Sequence, residues 1–350
     1  MFRKIAIAGC IAAGAFALAA SAQAQDVTLK VHHFLSPQSP VPKYFIGPWA
    51  EKVEKESGGR IKVQIFPTMQ LGGKPPSLYD QARDGVVDII WTLTGYTPGR
   101  FPKSEAFELP FIAGKGAATS EAAWDYYDKN LRDEFKDVNV IAAFVHGPGL
   151  VHANKPVEKL EDMKGLKLRG PTRMTNMLLS KLGAIPVGMP VPAVPEALSK
   201  HVIDGAVVPW EVSVPLRIPE LVHNHTGFTG SRGLYTSFMV FAMNKARYES
   251  LPDDLKKIID DNSGREASRL AGLAMDKGDM AGPPALAKLG DKQTILDEAE
   301  TQRWKDAARE IEAAWIEEMN GKGFDGAKLV EDAKAAISTY VDDEKPAYEF

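Results

Sequence analysis

Residues 165–173 read GLKLRGPTR: Arg169 ends a short strand-like run, Gly170-Pro171 breaks it, and Arg173 follows four residues later. A guanidinium is planar and permanently charged, and it matches a carboxylate with two parallel hydrogen bonds, a geometry lysine does not reproduce. Ligands of open parallel sheets bind beyond the carboxyl ends of the strands. An arginine at such an end therefore has two readings. One is an internal ion pair with a neighbouring acid, Glu161 or Asp162; the other is a clamp on the carboxylate of a small organic acid. Charge-assisted hydrogen bonds contribute about 1.5–3 kcal/mol each. Micromolar affinity needs about 8 kcal/mol in all, so one bidentate pair can supply a large share.

Residue patterns for other chemistry are scarce. GSRG (230–233) is not a G-x-S-x-G elbow. AGKG (113–116) lacks the rest of a phosphate loop, no G-x-G-x-x-G opens a helix, and no H-E-x-x-H occurs. Asp260-Asp261-Asn262-Ser263-Gly264 lacks the spacing of a calcium loop. Of the seven histidines, His33 closes the first strand near where a cleft would lie. His223-x-His225 would share one strand face, which suits a metal, but no third ligand is in sequence reach. The chain is therefore read as a non-enzyme with no metal and no cofactor. A net charge of −4, with no basic block or basic stripe interleaved with aromatics, argues against nucleic acid as a partner.

The elements that must position Arg169 follow from periodicity. Residues 1–24 read as a signal peptide: Arg3 and Lys4, an apolar run from Ile5 to about Ala20, and the cleavage site Ala22-Gln23-Ala24. This places the protein in the periplasm. Ile7-Ala8-Gly9-Cys10 resembles a lipoprotein site but sits too close to Lys4, so lipidation is not expected. Removal of the leader takes away two positive charges and the only cysteine, leaving 326 residues at a net charge of −6. No later stretch approaches the ~20 apolar residues of a membrane span, so no direct membrane insertion is expected.

The remaining chain alternates strands and helices. Val27–Val31, IKVQIF and VVDIIW (86–91) read as strands, with Phe45, Trp49 and Val53 on one helix face between the first two. A second unit runs through NVIAAFV (139–145), KLRG, a helix from Arg173, IPVGMPV (185–191), AVVPW (206–210) and TSFMVFAMN (236–244). Helices dominate from Leu251 onward, including a long amphipathic one from Glu298 to about Met319. Such alternation implies parallel sheets covered by helices. The Gly-Pro cluster at 146–149 and the Gly-rich stretch at 227–233 are the linkers, so the chain crosses more than once between two α/β lobes that enclose a cleft.

On these segments the chain resembles the extracytoplasmic solute-binding proteins of TRAP transporters, in the dicarboxylate-receptor-like family. The resemblance is carried in order by SGGRIKVQIFPTMQLGG (57–73), DGVVDIIW (84–91), FELPFI (107–112), GLKLRGP (165–171), LGAIPVGMP (182–190), EALSKHVIDG (196–205) and NKARYESLPDDLKKII (244–259). It implies a periplasmic binding protein fold of two lobes with crossover strands and a long bridging helix. Lobe 1 would be 25–147 plus about 236–275, lobe 2 would be 148–235, and about 276–350 would be helices bracing both. It also implies a receptor that hands a small organic acid to TRAP membrane subunits, with Arg169 at the position that grips the carboxylate. A sensory receptor of the same fold is the alternative.

Three departures bear on the ligand. Gly149 stands where sialic-acid-type members carry a second arginine. Val208 stands where the family has a polar asparagine, and Ala193-Val194-Pro195 replaces its usual Glu-containing segment. Each change removes polarity, and a sugar acid would leave groups unpaired at about 1–3 kcal/mol each. Trp91, Tyr96, Trp210, Tyr235 and Phe238 lie at strand ends facing the cleft. The expected ligand is a monocarboxylate with an apolar or aromatic body. Arg173 keeps a dicarboxylate open, and Glu211 beside Trp210 and Tyr235 keeps a zwitterion such as a betaine open.

Overall fold

The computed structural model describes residues 27–349, so the expected signal peptide and Cys10 lie outside the described residues. The first four strands are β1 (Val27–His32), β2 (Ile61–Phe66), β3 (Ile89–Leu93) and β4 (Val138–Val145). β1 pairs in parallel with β2 and β3, because each connection carries a helix. The helix Gly47–Glu56 makes the first crossover and buries Trp49, Ala50 and Val53 against the sheet. It stops where Gly58 and Gly59 adopt positive φ of 63° and 84°, which glycine reaches without steric cost.

After β4 the chain leaves this sheet through His146-Gly147-Pro148-Gly149 and builds a second one. That sheet takes β5 (Leu150–Ala153), β6 (Lys167–Gly170), β7 (Ile185–Gly188), β8 (Gly205–Val208) and β9 (Asn224–Phe228). The chain then returns as β10 (Phe238–Asn244), which inserts antiparallel between β3 and β4. A last strand, β11 (Gln293–Leu296), adds to the edge of the second sheet beside β9. The orders are β2-β1-β3-β10-β4 and β11-β9-β5-β8-β6-β7. The molecule is thus two α/β units with two mixed sheets. β11 falls in the stretch read from sequence as helices alone, β5 was not expected as a strand, and β9 overlaps the strand weighed from sequence only around His223-x-His225.

The long helix Glu298–Gly321 runs along the second unit, where Glu300 accepts from Leu160 N at 2.7 Å and Glu310 pairs with Lys181. The helix Gly326–Tyr340 packs instead on Gly116–Tyr126 of the first unit. Among the described residues, no helix is long and apolar enough to cross a membrane.

Candidate functional site

The carboxyl ends of β1, β3, β6 and β8 converge between the two sheets, where β10 also begins. There Phe34, Trp91, Tyr96, Arg169, Val208, Glu211, Tyr235 and Met239 line a narrow cavity with about 360 Å³ of space between its walls. The first unit supplies Phe34, Trp91 and Tyr96, with Phe34 4.7 Å from Trp91 and edge-on to Tyr96 at 5.7 Å between ring centroids. The second unit supplies Arg169, Val208 and Glu211.

Arg169 is 2% exposed. Its Nε donates to Met189 O at 2.9 Å and its Nη1 to Val207 O at 3.3 Å, while Nη2 is buried with no partner. Neither acid weighed from the sequence reaches it. Glu161 pairs with Arg303, and Asp162 accepts from the backbone of Glu158 and Lys159. Among the described residues, no carboxylate forms an ion pair with Arg169. Burial lowers its pKa, opposed by the nearby hydroxyls of Tyr96 and Tyr235, but a guanidinium stays charged throughout the physiological range. The fold therefore holds an uncompensated buried cation, a costly arrangement unless an anion comes to it.

The rest of the lining is fixed by its own bonds. Tyr96 Oη accepts from Val191 N at 3.1 Å, which ties the first unit to the second. Tyr235 Oη donates to Val207 O at 2.9 Å. His146 Nδ1 lies 2.6 Å from Gly147 O, so this nitrogen carries the proton and Nε2 accepts from Ser237 Oγ at 3.3 Å. Burial pushes the His146 imidazole down to about 4, and it is neutral at pH 7. Glu211 is fully enclosed, and burial pushes its carboxyl up to about 8.

Six of the ten side chains singled out from the sequence meet in this cavity: Arg169, Trp91, Tyr96, Tyr235, Val208 and Glu211. Four do not line it. Arg173 lies in an outer groove, and its guanidinium is held by Glu105, through both carboxylate oxygens, and by Glu318 at 2.8 Å. Trp210 turns back into the second unit, where its indole donates to Gln293 Oε1 at 3.1 Å and its ring covers Gly282. Phe238 packs edge-on to Phe107. His33 is buried behind Trp91, ring centroids 6.0 Å apart. Phe34, Leu35, Leu93, His146, Pro171, Val191, Pro209, Val212, Ser237 and Met239 complete the lining without having been singled out. For His146 a signal existed, since it opens the Gly-Pro crossover; Phe34 directly follows His33 at the end of β1.

The departure at Gly149 has a direct steric cause. A Cβ there would sit 2.1 Å from the Tyr235 ring, so no side chain fits where that tyrosine packs. His223 and His225 also part company. His223 is exposed beside Asp291, whereas His225 is buried with its Nδ1 2.8 Å from that of His152. No group of three potential metal ligands occurs among the described residues. A wider groove lies between the helices Glu298–Gly321 and Gly326–Tyr340. Its cations are largely matched, Arg309 by Asp306, Lys334 by Glu312 and Arg232 by Asp343, and it offers no buried unpaired charge of the Arg169 kind.

The model of the bacterial extracellular solute-binding proteins, family 7, matches residues 31–318. The chain belongs to this family. Among solved structures, a TRAP solute-binding protein of Rhodoferax ferrireducens T118 in complex with copurified benzoate is 50% identical. Its TM-score is 0.87, and the match covers 89% of this chain and 98% of that one. A marine metagenome TRAP solute-binding protein specific for aromatic acid ligands, in complex with 3-hydroxybenzoate, is 48% identical. Its TM-score is 0.89, and coverage is 91% and 99%. A Bordetella bronchiseptica TRAP periplasmic solute-binding protein with bound mandelate is 30% identical, at a TM-score of 0.83 and coverage of 89% and 99%. The two-lobe α/β architecture and the TRAP solute-binding family expected from the sequence are both those of the protein.

Proposed function

We propose that this family 7 solute-binding protein is the periplasmic receptor for a small aromatic monocarboxylate and delivers it to TRAP membrane subunits. The observation that carries the reading is the Arg169 guanidinium, buried without an ionic partner in a narrow cavity walled by Phe34, Trp91, Tyr96 and Tyr235. A carboxylate meeting Nη2 neutralises that charge in a place little screened by water. The flat aromatic walls then favour a ring, through offset or edge-on contacts worth about 0.5–1.5 kcal/mol each beyond burial. The benzoate, 3-hydroxybenzoate and mandelate carried by related proteins are of this chemical class. A dicarboxylate loses its support, because Arg173 is already engaged by two carboxylates. Ligand binding between two lobes that hinge at their crossovers favours the closed form only through contacts made to both lobes, and Tyr96 and Arg169 come from opposite sides.

A thermal-shift screen of the purified protein against organic acids tests the reading, with Arg169→Ala alongside. A micromolar aromatic acid at ~100-fold excess over Kd is expected to add about 2.7 kcal/mol to the wild type, and the gain is expected to vanish in the variant. Equal shifts in both proteins would overturn the role of Arg169. Shifts with dicarboxylates or sugar acids, but not with aromatic monocarboxylates, would overturn the ligand class.

A further inference from the structure

Most side-chain polar atoms that line the cavity have partners within the protein. The hydroxyls of Tyr96 and Tyr235, both His146 nitrogens and Ser237 Oγ all have partners within the protein. Three buried atoms remain: Arg169 Nη2, Trp91 Nε1 and Glu211 Oε2. The first two are donors only, and the carboxylate of the ligand proposed above is an acceptor only. A bare aromatic carboxylate therefore serves the donors and leaves Glu211 Oε2 unmet.

The backbone and Cβ of Glu211 are held in place. It is 4% exposed and lies in the short helix Trp210–Ser213 directly after the cavity residue Pro209. Its backbone N donates to Asp279 Oδ1 at 2.7 Å. Gly278, on the same helix as Asp279, leaves so little room that an added Cβ would lie 2.7 Å from Glu211 Cβ. Among the described residues no ion pair involves Glu211, and Arg169 is positioned independently, by β6.

From this we infer that Glu211 is the specificity-determining residue that reads a hydroxyl group on the ring of the ligand, so that the preferred substrates are hydroxy-substituted aromatic acids. The inference rests on the carboxylate reading of the same cavity. A hydroxyl both donates and accepts, and it satisfies the Glu211 carboxyl in either protonation state. A methyl group of similar size satisfies neither. Sites built to bond a hydroxyl reject the analogue that lacks it far more strongly than apolar pockets reject an added methylene.

The test is calorimetric titration of the purified protein with benzoate, the three hydroxybenzoates and their methylbenzoate counterparts. At least one hydroxybenzoate is expected to bind tenfold or more tighter than its methyl counterpart. That ratio should fall to near unity in Glu211→Leu and be kept in large part by Glu211→Gln, which retains a carbonyl oxygen. A ratio unchanged in Glu211→Leu overturns the inference while leaving the Arg169 reading standing, as does a wild type that binds methyl and hydroxyl forms equally. The latter comparison holds even if the leucine variant does not fold. Tighter binding of 3-(aminomethyl)benzoate than of any hydroxybenzoate would instead make Glu211 a cation partner and also overturn it. Failure of every aromatic acid to bind would remove the carboxylate reading and this inference together.

Discussion

Buried carboxyls and buried imidazoles respond to pH in opposite senses, and this protein holds both. Burial pushes Glu108 and Glu211 up to about 8 and Glu134 up to about 7. Their unfolded values lie near 4.3, so the folded state holds protons that the unfolded state has lost, and stability falls as pH rises from about 4.5 to 8. Burial also pushes His33, His146 and His225 down to about 4 from 6.5. The unfolded state then binds the extra protons, and stability rises with pH from about 4 to 6.5. The two sets oppose each other below 6.5, and the acids act alone above it. The unliganded protein is therefore expected to lose stability steadily between pH 6.5 and 8. Glu108 lies outside the cavity lining, with Oε1 accepting from Phe238 N at 3.2 Å, a bond glutamine can keep. Glu108→Gln should flatten the alkaline limb by about 1.4 kcal/mol per pH unit, read from urea titrations at several pH values. A limb as steep as that of the wild type would show that Glu108 is ionised in the fold. At this scale the sequence was legible where chemistry is confined to one residue type: an arginine ending a strand declares itself. The direction of a neighbouring aromatic does not. Trp91 faces the cavity and Trp210 the interior of the second unit because of local backbone turns and the room left at Gly282, and neither is encoded in residue type.

At the scale of elements, the helix Arg173–Lys181 begins at a three-way junction. Its first residue binds Glu105 of the first unit and Glu318 of the long helix, and Trp315 Nε1 donates to Glu105 Oε2 at 3.1 Å. Glu105 is buried, so removing its cation leaves an acid in a poorly solvated place, which costs more than the pair itself contributes. Arg173→Met is expected to destabilise the protein by about 2–4 kcal/mol, discounted from the fully buried range because the arginine is part exposed. The thermal shift with an aromatic acid should persist. Loss of ligand response with stability unchanged would make Arg173 a ligand contact after all. Elements with a clear apolar pattern were legible, among them the helix Gly47–Glu56, β3, β4, β10 and the long helix Glu298–Gly321. β5, β9 and β11 were not, and the reason is physical. Each has only four or five residues and no more than two apolar residues in a row, unlike the equally short β3 and β8. In β9 two of the buried positions are polar and are satisfied individually, Thr226 Oγ1 by Val157 O at 2.7 Å and His225 by His152.

At the scale of the molecule, what governs opening is how the two crossovers are held. Gly149 N donates to Tyr235 O at 3.0 Å, joining the outgoing and returning chains directly. The returning chain is tied to the first unit by Phe111 N on Leu234 O at 3.3 Å and by Gly233 N on Ala113 O at 2.8 Å. Over this junction lies the C-terminal segment, with Ala347 N bonded to Gly230 O at 2.8 Å. Tyr348 closes the arrangement. Its hydroxyl accepts from Leu234 N at 2.8 Å and donates to Gly149 O at 2.7 Å, so one oxygen bonds both crossovers. Removing it strands a buried donor and a buried acceptor, each costing about 1–3 kcal/mol. Tyr348→Phe keeps the ring against Phe228, whose centroid lies 6.0 Å away, and so isolates the hydroxyl. The expected outcome is a loss of about 2–4 kcal/mol in unliganded stability, seen as a lower urea midpoint with an unchanged slope. Affinity for the aromatic acid is also expected to change, because Gly149 and Leu234 adjoin the tyrosine that walls the cavity. A variant within about 0.5 kcal/mol of wild type, with the same affinity, would mean that the crossovers hold their spacing without the C-terminal segment. The hinge would then be a property of the two linkers alone.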